Sequence, residues 1–132
     1  MQDQKDYVLW HKEKTRIQNE AKAFYFSERE VWFAHLGSNV GREQDGVGDH
    51  FMRPVLIYKK CNQESFIGIP LSKTKRRSSQ HYEFSYKENN DISVALISQI
   101  RLMDVRRLCY KDGVVGQADF NLIKEKLRQF LA

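Results

Sequence analysis

A glycine-rich polar loop between two apolar runs constrains the fold of this chain most strongly. Gly37, Gly41, Gly46 and Gly48 fall within a dozen residues of one another. Such spacing lets the backbone take positive φ and pass close to a bulky group. The apolar runs at residues 31–36 and 54–58 are typical of buried strands on either side of the loop. Because long loops in small domains usually carry function, we expect a rigid scaffold that presents a polar loop.

The composition indicates a single globular domain with a mildly basic charge. The chain has 132 residues, of which 41% are apolar, enough for a core without a disulfide or a metal ion. It carries 22 Lys and Arg against 17 Asp and Glu, a net charge of +5 that favours an anionic partner. Cys61 and Cys109 lie far apart and predict neither a zinc site nor a disulfide framework.

No segment of the sequence indicates a membrane protein. The longest apolar runs fall short of the ~20 residues that span a bilayer, and no amino-terminal run has the pattern of a secretory leader. We therefore expect a cytoplasmic protein without membrane contact.

The first 27 residues are predicted to form an amphipathic helical extension. Their apolar side chains follow steps of three and four residues, interrupted only at Lys14, as in a helix that buries one face: Tyr7, Trp10, Ile17, Ala21 and Phe24. The polar face mixes both signs of charge, which favours packing on the domain or on a second subunit over membrane binding. We predict two regions, an extension over residues 1–27 and a main domain over residues 28–132.

The main domain is predicted to be mainly β. Turn signals separate short strands, which we place near residues 30–36, 53–60, 65–71, 80–87 and 92–102. The last is the most apolar and is long enough to bend midway; we interpret it as the central strand. We expect one helical turn at residues 105–108, a loop at 112–116 and a closing amphipathic helix from about Gln117. This pattern predicts an α+β fold, a small antiparallel barrel with a helix at each end of the chain.

Aromatic residues alternate along one predicted strand. Tyr82, Phe84 and Tyr86 follow a period of two, so that one face of the strand is aromatic and the other is polar. We interpret it as a half-buried strand; a platform on which bases stack is the alternative.

Three side chains near the glycine-rich loop are suited to phosphate chemistry. Pro54 sets the start of a strand whose preceding residue, Arg53, carries a forked guanidinium that fits a phosphate. Ser72 ends the neighbouring predicted strand, and Glu43 lies in the loop. A carboxylate, a guanidinium and a hydroxyl are sufficient for RNA cleavage by the substrate's own 2′-hydroxyl, which needs proton transfers and charge stabilisation but no metal. The alternative is structural, with Glu43 and Arg53 as an ion pair and Ser72 as a strand-end hydroxyl.

Four motifs in this order resemble a known family. Residues 41–46 (G-R-E-Q-D-G), 53–55 (R-P-V), 69–72 (I-P-L-S) and 98–104 (S-Q-I-R-L-M-D) are similar to the successive motifs of the MazF/PemK family of toxin endoribonucleases. The resemblance covers residues 28–132. It implies an SH3-like barrel that forms a homodimer, cuts single-stranded RNA at short sequence motifs and is inhibited by a cognate antitoxin protein in its RNA groove. Contact with operator DNA would be indirect, through that antitoxin.

The resemblance also implies roles for particular residues. Glu43, Arg53 and Ser72 match the positions tied to catalysis: Arg53 would stabilise the transition state or donate a proton, Glu43 would act as base or orient Arg53, and Ser72 would contact the phosphate. No metal and no cofactor is expected. The predicted substrate-binding residues surround these three: Arg42, Gln44, His50, Lys73, Lys75, Arg76, Arg77, Gln99 and Arg101.

The sequence departs from the family pattern in the loop. Residues 47–52 separate Gly46, the last glycine of the G-R-E-Q-D-G motif, from Arg53, a longer spacing than the family motif has, and they bring in His50. This histidine could titrate near neutral pH beside Arg53, although a solvated loop histidine is the alternative. The family position of Ser72 is usually Thr.

Two other functions stay open at this point. A related group of toxins shares the barrel but poisons DNA gyrase without cutting nucleic acid, and an RNA-binding module that does not cleave would need the same basic groove. Gln99 and Arg101 could read bases or serve the fold, and we favour the fold.

Overall fold

The computed structural model describes residues 25–36, 52–73, 80–88 and 90–132, which form seven strands and a carboxy-terminal helix. Most of the predicted extension and of the glycine-rich loop lies outside these residues. Two short 3₁₀ turns, Ile97–Gln99 and Val105–Arg107, connect strands. The strands and the helix are β1 Glu30–His35, β2 Met52–Lys60, β3 Ser65–Ser72, β4 His81–Phe84, β5 Ser93–Leu96, β6 Arg101–Asp104, β7 Leu108–Val114 and α1 Gln117–Leu131.

The strands form an antiparallel sheet in the order β4-β5-β3-β2-β1-β7, with β6 also paired to β3. Strand β3 is therefore central. One of its edges pairs with β2 along most of its length, and the other pairs first with β6 and then with β5. The predicted mainly β fold with a closing helix is confirmed, and the helix begins at Gln117 as expected.

The run over residues 92–102, expected to be the central strand and long enough to bend midway, does divide, but the central position belongs to β3. The run divides into β5 and β6, which pair with different parts of β3. The register Leu71↔Ala95 does not continue to Gly68, which pairs with Arg101, three residues further along than that register requires. The 3₁₀ turn Ile97–Gln99 takes up these extra residues, so an apolar run that looks uniform in sequence bends where its register on β3 changes.

Two other predicted boundaries need correction. Residues 112–116 were expected to form a loop, but β7 continues to Val114 because Glu30 and Val31 of β1 pair with Val114 and Gly113. The predicted strand over residues 80–87 ends at Phe84, where its pairing with β5 stops. The helical turn expected near residue 105 is present as Val105–Arg107.

The sheet is buried on both faces. Helix α1 covers one face through Phe120, Ile123 and Leu127, whose spacing places them on one side of the helix. Phe120, Ile123 and Leu127 pack with Val31, Leu56, Ile69, Leu71, Phe84, Ala95, Ile97 and Val115.

In the described part of the chain, no helix is long and apolar enough to cross a bilayer.

A second cluster fills the opposite face without the helix. Phe26 belongs to it and lies against Phe66, with ring centroids 5.4 Å apart, so the core begins just before β1. Its other members come from β1, β2, β6, β7 and the turn before β7: Trp32, Ala34, Leu36, Val55, Ile57, Met103, Val105 and Leu108.

Gly68 lets the central strand fit between its neighbours. A Cβ atom at this position would lie 2.6 Å from Val55 Cγ1 and 3.1 Å from Met103 Sδ, both closer than van der Waals contact allows. The second cluster therefore packs against bare backbone at this point of β3, as glycines within strands commonly permit.

We predict that Gly68→Ala destabilises the protein by about 1–3 kcal/mol, because the added methyl group overpacks the core. Gly116→Ala is the matched control, since a Cβ there meets nothing within 4 Å and should change the free energy of unfolding by less than about 0.5 kcal/mol. Urea denaturation measures both. Equal stabilities of the two variants would contradict this account of the core.

Candidate active site

Arg53 and Ser72 lie at the same end of the β2–β3 pair. Val55 is the register partner of Pro70, and Arg53 and Ser72 each lie two residues further toward this end. The paired residues of β2 and β3 run from Lys60 and Phe66 to Val55 and Pro70. Beyond them Arg53 pairs with Ala34 of β1, and Ser72 pairs with Val94 of β5. The two predicted catalytic residues therefore lie at the same end of the β2–β3 pair.

Both side chains belong to the face of the sheet that holds the second cluster. Residues two apart on a strand share a face, so Arg53 shares the face of Val55, and its partner Ala34 lies in the same cluster. Ser72 is 8% exposed and Arg53 is half-buried. A partly desolvated guanidinium and a hydroxyl at the same end of a strand pair are suited to holding a phosphate.

The two polar segments singled out in the sequence join the sheet at this end. The described chain stops at Leu36 and resumes at Met52, and Met52 pairs with His35. Lys73 is exposed and directly follows Ser72, before residues 74–79. The predicted site residues within these segments lie outside the described residues: Arg42, Glu43, Gln44, His50, Lys75, Arg76 and Arg77.

Arg101 and Gln99 lie beside the central strand, further from the pair. Arg101 is opposite Gly68 and shares the face of Arg53 and Ser72, about 13 Å along β3 from the serine backbone. Gln99 ends the 3₁₀ turn, and among the described residues its buried Oε1 accepts no hydrogen bond. A buried amide oxygen without a donor is costly, so this atom is available to a ligand that can donate.

Arg107 is a cation of this region that the sequence analysis did not single out. It follows the turn before β7 and donates from Nη1 to the backbone carbonyl of His35 at 2.9 Å. Burial and the neighbouring Arg101 guanidinium both lower its pKa, although it stays charged as arginines do. The structure thus gathers positive charge from β2, β6 and the turn before β7. In the sequence, the only signal for a role of Arg107 was its position directly after Arg106. That segment predicted no more than a helical turn.

Asp104, the last residue of the fourth motif, has a structural role. Its carboxylate caps the turn Val105–Arg107 by accepting from the Arg106 amide at 2.8 Å, and it binds the Arg106 guanidinium through both oxygens at 2.9 Å. The hydrogen bonds from Arg106 hold the pKa of Asp104 below its usual value. The Asp104 carboxylate is therefore bound to the turn that directly follows it.

The aromatic strand serves the fold. Phe84 is buried, and the two tyrosines on its face pack against the first cluster. Tyr82 donates to Asp119 of α1 at 2.8 Å, and Tyr86 donates to Asp112 of β7 at 2.7 Å. Burial and these bonds raise the pKa of Tyr82 to about 12 and raise that of Tyr86 as well. Because both tyrosine rings are held in place by these bonds, the structure favours the interpretation as a half-buried strand over that of a platform on which bases stack.

In the described ranges, no three His, Cys, Asp or Glu side chains are placed to hold one metal ion. The candidate site offers guanidinium, ammonium and hydroxyl groups, which come from Arg53, Arg101, Arg107, Lys73 and Ser72. They can bind an anion, donate hydrogen bonds and stabilise negative charge that develops on a phosphate.

One comparison with known proteins identifies a family. Residues 27–131 match the family model described as PemK-like, MazF-like toxin of type II toxin–antitoxin system. A search of curated proteins found no match.

Solved structures share the fold at low sequence identity. One is a mycobacterial endoribonuclease in complex with its cognate antitoxin, with a TM-score of 0.63 and 16% identity, covering 81% of this chain and 95% of that one. Another is the Mycobacterium tuberculosis toxin MazF-mt6, with a TM-score of 0.60 and 16% identity, covering 78% of this chain and 96% of that one.

We predict that Tyr86→Phe lowers the free energy of unfolding by about 1–3 kcal/mol, because the half-buried Asp112 carboxylate loses a donor. The loss should become smaller above pH ~10. There the Tyr86 phenol ionises in the unfolded wild type but not in the folded wild type, which lowers the stability of the wild type and not of the variant. Tyr25→Phe is the control, since Tyr25 is 97% exposed. Identical denaturation curves for both variants would argue against a structural role for Tyr86.

Proposed function

We propose, from the premise that this chain belongs to the PemK-like, MazF-like toxin family of type II toxin–antitoxin systems, that it is an endoribonuclease acting on single-stranded RNA. Cleavage would be sequence-selective and would take place in the cytoplasm. The observation that supports the proposal is the register of β2 on β3, which pairs Val55 with Pro70 and leaves Arg53 of the R-P-V motif and Ser72 of the I-P-L-S motif at the same end of this strand pair.

The proposed reaction is an attack by the 2′-hydroxyl of RNA on the adjacent phosphorus. It leaves a 2′,3′-cyclic phosphate on one product and a 5′-hydroxyl on the other, and it needs neither a metal ion nor a protein nucleophile. Arg53 stabilises the negative charge on the phosphorane oxygens and Ser72 donates a hydrogen bond to a phosphate oxygen. Glu43 removes the 2′-hydroxyl proton or orients Arg53, and a positioned base of this kind is worth about 10²–10⁴-fold.

The surrounding cations hold the RNA backbone. Lys73 begins a basic segment directly after Ser72, and Lys75, Arg76 and Arg77 continue it. Arg101 extends the positive charge along β3, on the face shared with Arg53. Phosphate contacts of this kind release counterions, so binding weakens as salt rises. The side-chain oxygen of Gln99 is buried and, among the described residues, accepts no hydrogen bond. It is therefore suited to accept a hydrogen bond from a base.

The protein would act with two protein partners. We propose that it forms a homodimer and that a cognate antitoxin inhibits it by occupying the RNA groove, as the complex of the mycobacterial endoribonuclease with its antitoxin suggests. A positively charged groove that attracts RNA also attracts an acidic polypeptide segment. Any contact with operator DNA would be made through the antitoxin.

Arg53→Ala is expected to reduce RNA cleavage by about 10²–10³-fold, because one donor to the developing charge is lost. The assay incubates purified protein with a mixed RNA in the presence of a chelator and maps the cut ends. Arg128→Ala is the matched control, since Arg128 lies on the exposed side of α1 and pairs with Glu125 at 2.8 Å. It should cut at the wild-type rate.

Other outcomes of this assay would reject the proposal. Uncut RNA with the wild-type protein, together with trapped gyrase–DNA complexes, would identify a gyrase poison that shares the fold. RNA that is bound but intact would identify a binding module. Equal cleavage by Arg53→Ala and Arg128→Ala would remove Arg53 from the reaction.

Ser72→Ala is expected to slow cleavage about 10- to 100-fold, because a hydrogen bond to a charged group contributes about 1.5–3 kcal/mol. Ser72→Thr keeps the hydroxyl and should retain more activity than Ser72→Ala. Rates are compared after thermal melting has shown that both variants are folded, since Ser72 is buried. Similar rates for the Ala and Thr variants would show that the hydroxyl does not act on the phosphate.

A further inference from the structure

Cys109 lies against a buried imidazole. Its Sγ atom is 2.9 Å from Nε2 of His35, which is 3% exposed, and 3.9 Å from the carbonyl oxygen of Arg107. Cys109 itself is half-buried. A thiol within hydrogen-bonding distance of an imidazole can transfer its proton to the ring, and the resulting thiolate is the reactive form of cysteine.

A β-bulge produces this contact. Phe33 pairs with Tyr110 and Ala34 pairs with Leu108, so Cys109 is the extra residue that β7 inserts opposite β1. Leu108 is buried in the second cluster, and Tyr110 stacks on Phe33 with ring centroids 4.9 Å apart. Packing of both neighbours fixes the bulge. Bulges redirect one side chain, and here the redirected side chain is the thiol.

The charged groups around the pair favour an anion. The Arg107 guanidinium donates to the His35 carbonyl, and Arg101 lies near Arg107. Asp104 also acts on Arg107 but is bound by Arg106. On the far side of the bulge in β7, Lys111 pairs with Glu30 at 3.1 Å. The residue that contacts the thiol is thus itself bound by a guanidinium, and cations stabilise a thiolate.

We propose that Cys109 and His35 form a reactive thiol pair, and that Cys109 is a modification site for small anionic disulfides such as oxidised glutathione. The other cysteine, Cys61, is exposed in the turn between β2 and β3, where its backbone amide donates to Ser65. It therefore provides an internal reference for an ordinary thiol.

The proposed modification is a thiol–disulfide exchange. His35 takes the thiol proton, and the thiolate attacks one sulfur of the disulfide. A bond forms between Cys109 and that sulfur, the original sulfur–sulfur bond breaks, and the departing thiolate takes the proton from the imidazolium. The products are a mixed disulfide on Cys109 and one free thiol, so no other oxidant is needed.

This pair adjoins the candidate active site. His35 pairs with Met52, and its neighbour Ala34 pairs with Arg53. A glutathionyl group on Cys109 would displace the imidazole from its buried position and disturb the strand that holds Arg53. On the condition that the proposed ribonuclease function is correct, modification should lower RNA cleavage. The modification itself is measured without RNA, so the two proposals fail independently.

The test compares two full-length single-thiol variants, Cys61→Ser and Cys109→Ser. Thiolate formation is followed by ultraviolet absorbance as pH rises. In Cys61→Ser, Cys109 should ionise at least about one pH unit below the ~8.5 of a free thiol, and at lower pH than the thiol that remains in Cys109→Ser. Oxidised glutathione at neutral pH should then modify the Cys61→Ser protein faster, as intact mass shows.

The role of the imidazole is tested by adding His35→Gln to the Cys61→Ser protein. The ionisation midpoint of Cys109 should move up toward that of a free thiol. Because His35 is buried and this variant could fail to fold, the comparison of the two single-thiol proteins decides the proposal without it. A Cys109 midpoint at or above that of Cys61, or faster modification of Cys61 than of Cys109, would overturn the proposal.

Discussion

The pairing of β3 along both of its edges is the constraint on which the rest of the structure depends. Strand β3 is buried on both faces, so its backbone donors and acceptors need partners, which β2, β5 and β6 supply. Gly68 makes this possible, because a side chain there would collide with Val55 and Met103. A slip of one residue in this register would carry Ser72 to the opposite face of the sheet. The geometry of the candidate site is therefore maintained by the core.

The candidate site occupies the end of this sheet, where rigid strands give way to polar segments. Arg53 is paired with β1 and Ser72 with β5, which limits the entropy that binding a phosphate would cost. Arg101 and Arg107 add positive charge from other elements, and burial strengthens their effect on an anion.

Local patterns were sufficient to predict much of the fold. The apolar runs of β1, β2 and β3 and the helical period of α1 are each contained within a short segment, and each element appears where its pattern lies. The length of the run 92–102 indicated that it could bend midway, but the position of the break between β5 and β6 was not predicted, because the change of register depends on β3. The end of β7 was also missed, since residues 112–114 are extended only because they pair with β1.

The sequence by itself determined the family, the order of its motifs and the residues suited to phosphate chemistry, because a motif is a property of consecutive residues. Only the tertiary structure decided which side chains meet. The register of β2 on β3 leaves Arg53 and Ser72 at the same end of this strand pair, the turn before β7 brings Arg107 to the His35 carbonyl, and a bulge in β7 sets Cys109 against the imidazole. These partners are far apart in the chain, and the pairing and packing of whole strands bring them together.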